Sequence, residues 1–221
     1  MANHVIIVAA GAGKRFGSRK QFHTVLGRPL YTYATRTFDV NDRIATVTLV
    51  VPKNQIEPTK RTVRELGLRK VRRVVAGGRR RQDSVANGLR AIREKTGVVI
   101  IHDAVRPLVS RKMIGKGIAL CRKYKAIIPA VKAYDTVKRV SKQRIQETVS
   151  REDLFLIQTP QFFDLKILKK AISEIDFRME YTDEAAILEA LGLPVCIFPG
   201  DRYNIKVTDR RDLQLVEKLL L

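Results

Sequence analysis

Four short runs of uncharged, largely β-branched residues constrain this chain more than any other feature: Val5 to Ala10, Ala45 to Val51, Val98 to Ile101 and Ala126 to Val131. Each has the length of a strand and no charge, the pattern of a strand in a sheet covered on both faces. Val71 to Val75 adds a further strand. Between them the spacing turns helical, over Pro29 to Phe38 with Pro29 in the first turn, and from near Pro58 to Gly67. It is helical again after Gly77-Gly78, where Asp83 or Ser84 can cap a helix with Val85, Leu89 and Ile92 on one face, and over Lys112 to Tyr124. Continuous apolar strands that alternate with amphipathic helices predict an α/β fold, a mostly parallel sheet with helices on both faces.

In such sheets ligands bind beyond the carboxyl ends of the strands. The first of these ends is the most distinctive. Val5 to Ala10 runs into Gly11-Ala-Gly13, and the cations Lys14, Arg15, Arg19 and Lys20 follow. Glycines let backbone N–H groups approach an anion, and fixed cations offset its charge, so the stretch has the chemistry of a polyphosphate cradle. Two familiar cradles are excluded. Gly13-Lys14 is followed by Arg15 rather than Ser or Thr, which breaks the Walker pattern, and Phe16 occupies the third-glycine position of the dinucleotide fingerprint. Gly77–Ser84, His102–Pro107 and the segment after Val131 mark three more strand ends.

From Tyr134 to Arg151 the rhythm changes. Thr136 to Val140 and Ile145 to Val149 read as two strands around the polar turn Ser141–Arg144. A hairpin inserted in an α/β domain has little core of its own and needs another surface to lie against, such as a second subunit. The chain returns through Leu154–Ile157 and Phe162-Phe163 to a helix over Leu165–Ile175, then a helix capped by Thr182 and ended by Gly192. Strands over Pro194–Phe198 and Asn204–Val207 follow, and Asp209 caps a last helix with Leu213, Val216 and Leu220 as its apolar stripe. The 221 residues suit one domain, 1–221, with 132–151 as an arm for dimerisation.

Charge narrows the partners without choosing one. Lys and Arg number 43 against 22 Asp and Glu, a net charge of +21, which favours anions of any size. A nucleic-acid stacking surface would interleave these cations with exposed aromatics. Aromatics are only 6% of the chain, and Phe162, Phe163 and Phe198 fall in apolar segments, so nucleic acid is not expected as a partner. The apolar runs are too short for a membrane span, and no charged-then-apolar leader opens the chain, so a cytoplasmic location without membrane attachment is expected. Cys121 and Cys196 lack metal-ligand spacing and are expected to be reduced and buried.

Taken together, the motif blocks resemble the 2-C-methyl-D-erythritol 4-phosphate cytidylyltransferases of the non-mevalonate isoprenoid route. The resemblance rests on Ala9-Ala-Gly-Ala-Gly-Lys-Arg15, Lys20-Gln21, Gly77-Gly78 with Arg81-Gln-Asp-Ser84, and His102-Asp-Ala-Val-Arg-Pro107. It continues through Asp135-Thr136, Thr148-Val-Ser-Arg151, Gln158-Thr-Pro-Gln161, Thr182-Asp-Glu-Ala185 and Asn204-Ile-Lys-Val-Thr208, collinear over nearly the whole chain. It implies a Rossmann-like nucleotidyltransferase fold with an inserted β-hairpin arm. It also implies transfer of the cytidylyl group of CTP to methylerythritol phosphate, with Mg²⁺ held mainly by the CTP phosphates and no metal site built by the protein. By the same resemblance, Arg15 and Lys20 stabilise the transition state at the α-phosphate, while Arg151 and Lys206 position the acceptor. Ala9, Ala10, Gly11, Gly78, Arg81, Ser84, Asp103 and Ala104 contact the nucleotide. Arg106, Thr136, Thr159 and Thr182 contact the acceptor, Thr136 and Arg151 from the neighbouring subunit of a homodimer.

The chain departs from that pattern in three places. The span from Arg15 to Lys20 is shorter than in relatives, with Arg19 where a proline is common; Arg79 replaces a frequent acid; and Thr148-Val-Ser-Arg replaces Thr-Val-Asp-Arg. Ribitol 5-phosphate cytidylyltransferases are the nearest alternative, and Ala9-Ala-Gly11 in place of Ala-Gly-Gly favours the methylerythritol enzymes.

Overall fold

The structure, a computed structural model, describes residues 2–13 and 16–221. Strand β1 (Asn3–Val8) leads into the glycine loop, after which the two-residue strands β2 (Thr24–Val25) and β3 (Arg28–Pro29) pair with each other. The alternation then holds through α1 (Tyr31–Asp39), β4 (Thr46–Val51), α2 (Ile56–Glu65), β5 (Val71–Ala76), α3 (Arg81–Ala91), β6 (Val98–Asp103), α4 (Arg111–Tyr124) and β7 (Ala126–Lys132). A separate hairpin, β8 (Val137–Ser141) and β9 (Arg144–Val149), pairs only with itself. The chain closes through β10 (Phe155–Ile157), β11 (Gln161–Asp164), α5 (Leu165–Glu174), α6 (Glu184–Ala190), β12 (Cys196–Pro199) and α7 (Arg210–Leu220).

Eight strands form the main sheet in the order β10-β7-β11-β6-β1-β4-β5, with β12 also on β7. The β6-β1-β4-β5 half is parallel, whereas β11 runs antiparallel between β6 and β7. Side chains alternate faces along each strand. Val5, Ile7, Val98 and Ile100 therefore pack with Tyr31, Phe38, Ile114 and Ile118 of α1 and α4. Ile6, Val99 and Ile101 face the other way, against Val85 and Leu89 of α3, Leu168 of α5 and Ile187 of α6. Burying one such side chain is worth about 1.5–3 kcal/mol, so β1, apolar on both faces, is held at the centre of two layers. A smaller cluster of Phe16, Val25, Leu30, Val207 and Val216 fastens α7 beside the glycine loop. Among the described residues no helix is long and apolar enough to cross a membrane.

Several expectations are corrected. Pro29 pairs in β3, and the first helix starts two residues later at Tyr31. Helix α3 begins at Arg81 with Arg80 at the cap position, and Asp83 caps from the third helical position, accepting the Arg80 N–H and guanidinium. Asp183, not Thr182, caps α6, because its carboxylate accepts from Ala186 N. Asn204–Val207 is loop: its backbone bonds go to Val105 and to Arg106 rather than to a strand. Cys121 is buried, and burial pushes its thiol up to about 12, while Cys196 is only half-buried.

Candidate active site

The site grows from the way β1 ends. Ala9 N donates to Val50 O, and Ala104 N donates to Val8 O, so the turn after β6 is clamped to the end of β1. Beyond that clamp the Gln21 side chain, itself buried, donates from Nε2 to both Ala9 O at 2.7 Å and Gly11 O at 2.8 Å. The loop is thus shaped from behind. Gly13 sits at φ +69, and a Cβ there would lie 1.9 Å from Ser18 O, so the turn requires glycine. Gly11 differs: a Cβ on it would meet nothing within 4 Å. The space beside it belongs to a cavity of about 470 Å³.

That cavity is lined by Ala9, Ala10, Gly11, Lys20, Gly78, Arg81, Ser84, Asp103 and Lys206, among others. A second cavity of about 150 Å³ is lined by Arg106, Thr159 and Thr182, and it shares Arg81, Asp103 and Lys206 with the first. The residues assigned to the nucleotide therefore lie mainly around one cavity and those assigned to the acceptor around the other. The common wall is a chain of ion pairs. Lys206 Nζ reaches Asp103 Oδ2 at 2.8 Å, Arg81 Nε reaches Asp103 Oδ1 at 3.2 Å, and Arg81 Nη1 reaches Glu184 at 2.8 Å. Burial alone would raise the Asp103 carboxyl, but the Arg81 and Lys206 charges hold it well below the usual carboxylate range. Burial would likewise lower the Arg81 guanidinium, and Glu184 and Asp103 more than offset it.

Behind the wall a neutral network fixes the orientation of Asp103. Thr159 Oγ1 accepts from Asp103 N at 3.1 Å and lies 3.2 Å from His102 Nδ1. His102 Nε2 lies 3.0 Å from Arg106 O, a carbonyl that can only accept, so Nε2 carries the proton and Nδ1 takes the Thr159 hydroxyl hydrogen. Burial lowers the His102 imidazole to about 4. Arg106 donates from Nη1 to Asn204 O at 2.8 Å, while its buried Nε has no partner among the described residues.

Not every assigned residue lies in this arrangement. Arg15 is outside the described residues. Lys20 lines the larger cavity and donates from Nζ to Thr208 O at 3.4 Å. Ala104 lines neither cavity, and its N–H is spent on Val8 O. The Ser84 hydroxyl is turned inward, accepting from Gly78 N and donating to Arg80 O. Thr136 and Arg151 are exposed beside the hairpin, where Arg151 donates to Tyr134 O, and neither lines the two cavities. The sequence reading missed Glu184, buried with 0% exposure, and the loop-shaping role of Gln21; both stand inside quoted blocks, Thr182-Asp-Glu-Ala185 and Lys20-Gln21.

Comparison with known proteins identifies the family and the fold. The chain matches the family described as IspD: 2-C-methyl-D-erythritol 4-phosphate cytidylyltransferase over residues 3–221. It is 37% identical over 223 residues to 2-C-methyl-D-erythritol 4-phosphate cytidylyltransferase of Halalkalibacterium halodurans, covering 100% of this chain and 97% of that protein. It is 39% identical over 218 residues to the bifunctional enzyme IspD/IspF of Desulfotalea psychrophila, covering 98% of this chain but 56% of that longer relative. Among solved structures, 4-diphosphocytidyl-2C-methyl-D-erythritol synthase from Anaerococcus prevotii superposes with a TM-score of 0.85 at 28% identity, covering 99% of this chain and 96% of the other. The fold is that of these nucleotidyltransferases.

Proposed function

The chain belongs to the 2-C-methyl-D-erythritol 4-phosphate cytidylyltransferase family, and from that premise we propose that it joins the cytidylyl group of CTP to 2-C-methyl-D-erythritol 4-phosphate. A phosphate oxygen of the acceptor attacks the α-phosphorus, the bond to the bridging oxygen of the β-phosphate breaks, and pyrophosphate leaves. The observation that carries this reading is the pair of cavities divided by Lys206, Asp103 and Arg81. Two phosphorylated reactants must meet there against their mutual repulsion. Cations fixed at the junction offset the charge that gathers in the transition state, worth about 3–4 kcal/mol for one preorganised donor. Lys20 and Arg15 serve the α-phosphate side, and Lys206 the acceptor side.

The residues present fit a Mg²⁺ carried in by CTP. Asp103 is the carboxylate lining the larger cavity among the described residues, and its oxygens already accept from Arg81 and Lys206. Mg²⁺ commonly keeps most of its coordination for water and substrate phosphates, and it supplies charge neutralisation on them. The hairpin arm, 132–151 within one domain of 1–221, serves dimerisation, bringing Thr136 and Arg151 to the acceptor of the other subunit. Its exposed Val140 and Ile145, with Phe155 and Leu156 of β10, supply apolar area for that contact. No nucleic-acid partner is proposed, since aromatics are only 6% of the chain, and the enzyme is proposed to be cytoplasmic.

The deciding experiment follows pyrophosphate release from CTP and Mg²⁺ with either methylerythritol phosphate or ribitol 5-phosphate. Turnover with the first supports the proposal. Turnover with ribitol phosphate alone moves the chain to the other specificity, and tight salt-dependent RNA binding without any turnover overturns enzyme and substrate together.

A further inference from the structure

Arg81 is anchored at two points and free at a third. Its Nε donates to Asp103, and its Nη1 donates to both oxygens of Glu184, at 2.8 and 3.0 Å. Its Nη2 is buried and has no partner among the described residues. Because a guanidinium is planar and rigid, two anchors on one fork fix where the remaining N–H bonds point. Arg81 lines both cavities, so holding its fork in place sets the shape and charge of their common wall.

The second anchor is built with care. Glu184 is fully buried at the first turn of α6. That turn is pinned twice, by the Asp183 carboxylate accepting from Ala186 N and by Gln161 Nε2 donating to Asp183 Oδ2 at 2.8 Å. The helix end stabilises the Glu184 charge, while burial pushes its carboxyl up against the pull of Arg81. A buried acid of this kind costs free energy unless a cation stands opposite. Leu or Met would pack there without that cost, so a role in the site explains the acid better than packing does.

We infer that Glu184 is a positioning residue, one that keeps Arg81 at the wall between the cavities and thereby leaves Asp103 for Lys206. The inference rests on the proposed cytidylyl transfer. Without the Glu184 carboxylate, Asp103 is, among the described residues, the one acid left paired with the two cations at the wall. Arg81 can then turn its fork onto both Asp103 oxygens, the geometry a guanidinium prefers, and Lys206 is displaced. Both the Arg81 fork and the Lys206 ammonium lose their places, although Glu184 itself lines neither cavity.

The test combines kinetics with a probe of Arg81. In Glu184→Gln, which keeps the shape, kcat is expected to fall about 10- to 100-fold, the scale of a misplaced catalytic group, with the KM for CTP within about twofold. Adding Glu184→Gln to Arg81→Lys should then cost little more, because the fork that Glu184 holds is already gone. Slowly rotating guanidinium N–H signals of Arg81 in NMR should be present in the wild type and absent from Glu184→Gln. A variant that only melts earlier, with those signals kept and kcat per folded molecule unchanged, overturns the inference. If Glu184→Gln does not fold, Glu184→Asp keeps the charge but draws it back by one methylene, and the same signals and kcat decide. If the wild type turns over neither polyol phosphate, the cytidylyl-transfer reading fails, and the NMR signals still report whether Glu184 holds Arg81.

Discussion

Lys206 Nζ stands 2.8 Å from Asp103 Oδ2, and this pair closes the wall between the two cavities. Asp103 is buried, whereas the Lys206 side chain keeps 42% of its exposure, so the carboxylate carries most of the desolvation and the lysine can still move. Asp103→Asn turns two ion pairs into weak contacts and leaves Arg81 and Lys206 facing each other. Uncovering a buried charge costs about 3 kcal/mol, which for a chain of this size lowers the melting temperature by roughly 6 to 12 °C. Pyrophosphate release should fall at least about 100-fold. A melt within a degree of the wild type would show that the wall is not held by these charges.

His102 makes stability depend on pH in a window that can be stated in advance. Burial lowers its folded value to about 4 from an ordinary 6.5. Between those values the unfolded chain binds a proton that the folded chain refuses, so stability falls as pH drops from about 6.5 towards 4 and is fully present above. The full difference is worth about 3 kcal/mol. His4, also lowered by burial, adds to the slope with the same sign. Asp103 acts in the same direction at lower pH, since its depressed carboxyl contributes stability that is lost on acidification below its ordinary range. Urea unfolding at pH 7 and 4.5 checks the slope, and His102→Gln should flatten it even if it is less stable at both.

Much of this architecture could be read from periodicity, and the exceptions have a common physical cause. β1, β4, β6 and β7 announce themselves because their central residues, covered on both faces, carry no charge, and the charged Asp103 and Lys132 come only at strand ends. β11 does not, since Gln161-Phe-Phe-Asp164 carries only two apolar residues and earns its antiparallel place from β6 and β7 alone. Asn204–Val207 looks like a strand for the opposite reason: Ile205 and Val207 are packed with Phe16, Val25 and Leu30, while the backbone bonds go to a loop. Glu184 was invisible as a site residue because an acid in a first helical turn is ordinary. What distinguishes it is Arg81, 103 positions away, and only the fold brings them together.

Gln21 offers a test of the loop separate from its cations. Its amide bonds the carbonyls of Ala9 and Gly11, and the residue borders the larger cavity beside them. Gln21→Met keeps the length and removes both donors, at about 1 kcal/mol each. The loop should then lose its preset shape, raising the KM for CTP about tenfold while secondary structure by circular dichroism is unchanged. An unaltered KM would mean that the glycine turn, with Gly13 at φ +69, holds the loop without help.

The exposed positions of Thr136 and Arg151 make a composite site a matter of simple counting. Lys206 lines both cavities of its own chain, while Arg151 lines neither. If the partner subunit's Arg151 completes each site, a heterodimer of Lys206→Ala with Arg151→Ala has one site broken twice and one site intact. Random reassociation of equal amounts puts half the molecules in heterodimers, so activity should return to about a quarter of wild type from two nearly inactive parents. The mixture is unfolded and refolded together, and pyrophosphate release is compared with that of each parent treated alone. Activity that stays at the level of the parents would place Arg151 and Lys206 in the same subunit's site, and the arm would then have to fold back over its own acceptor cavity.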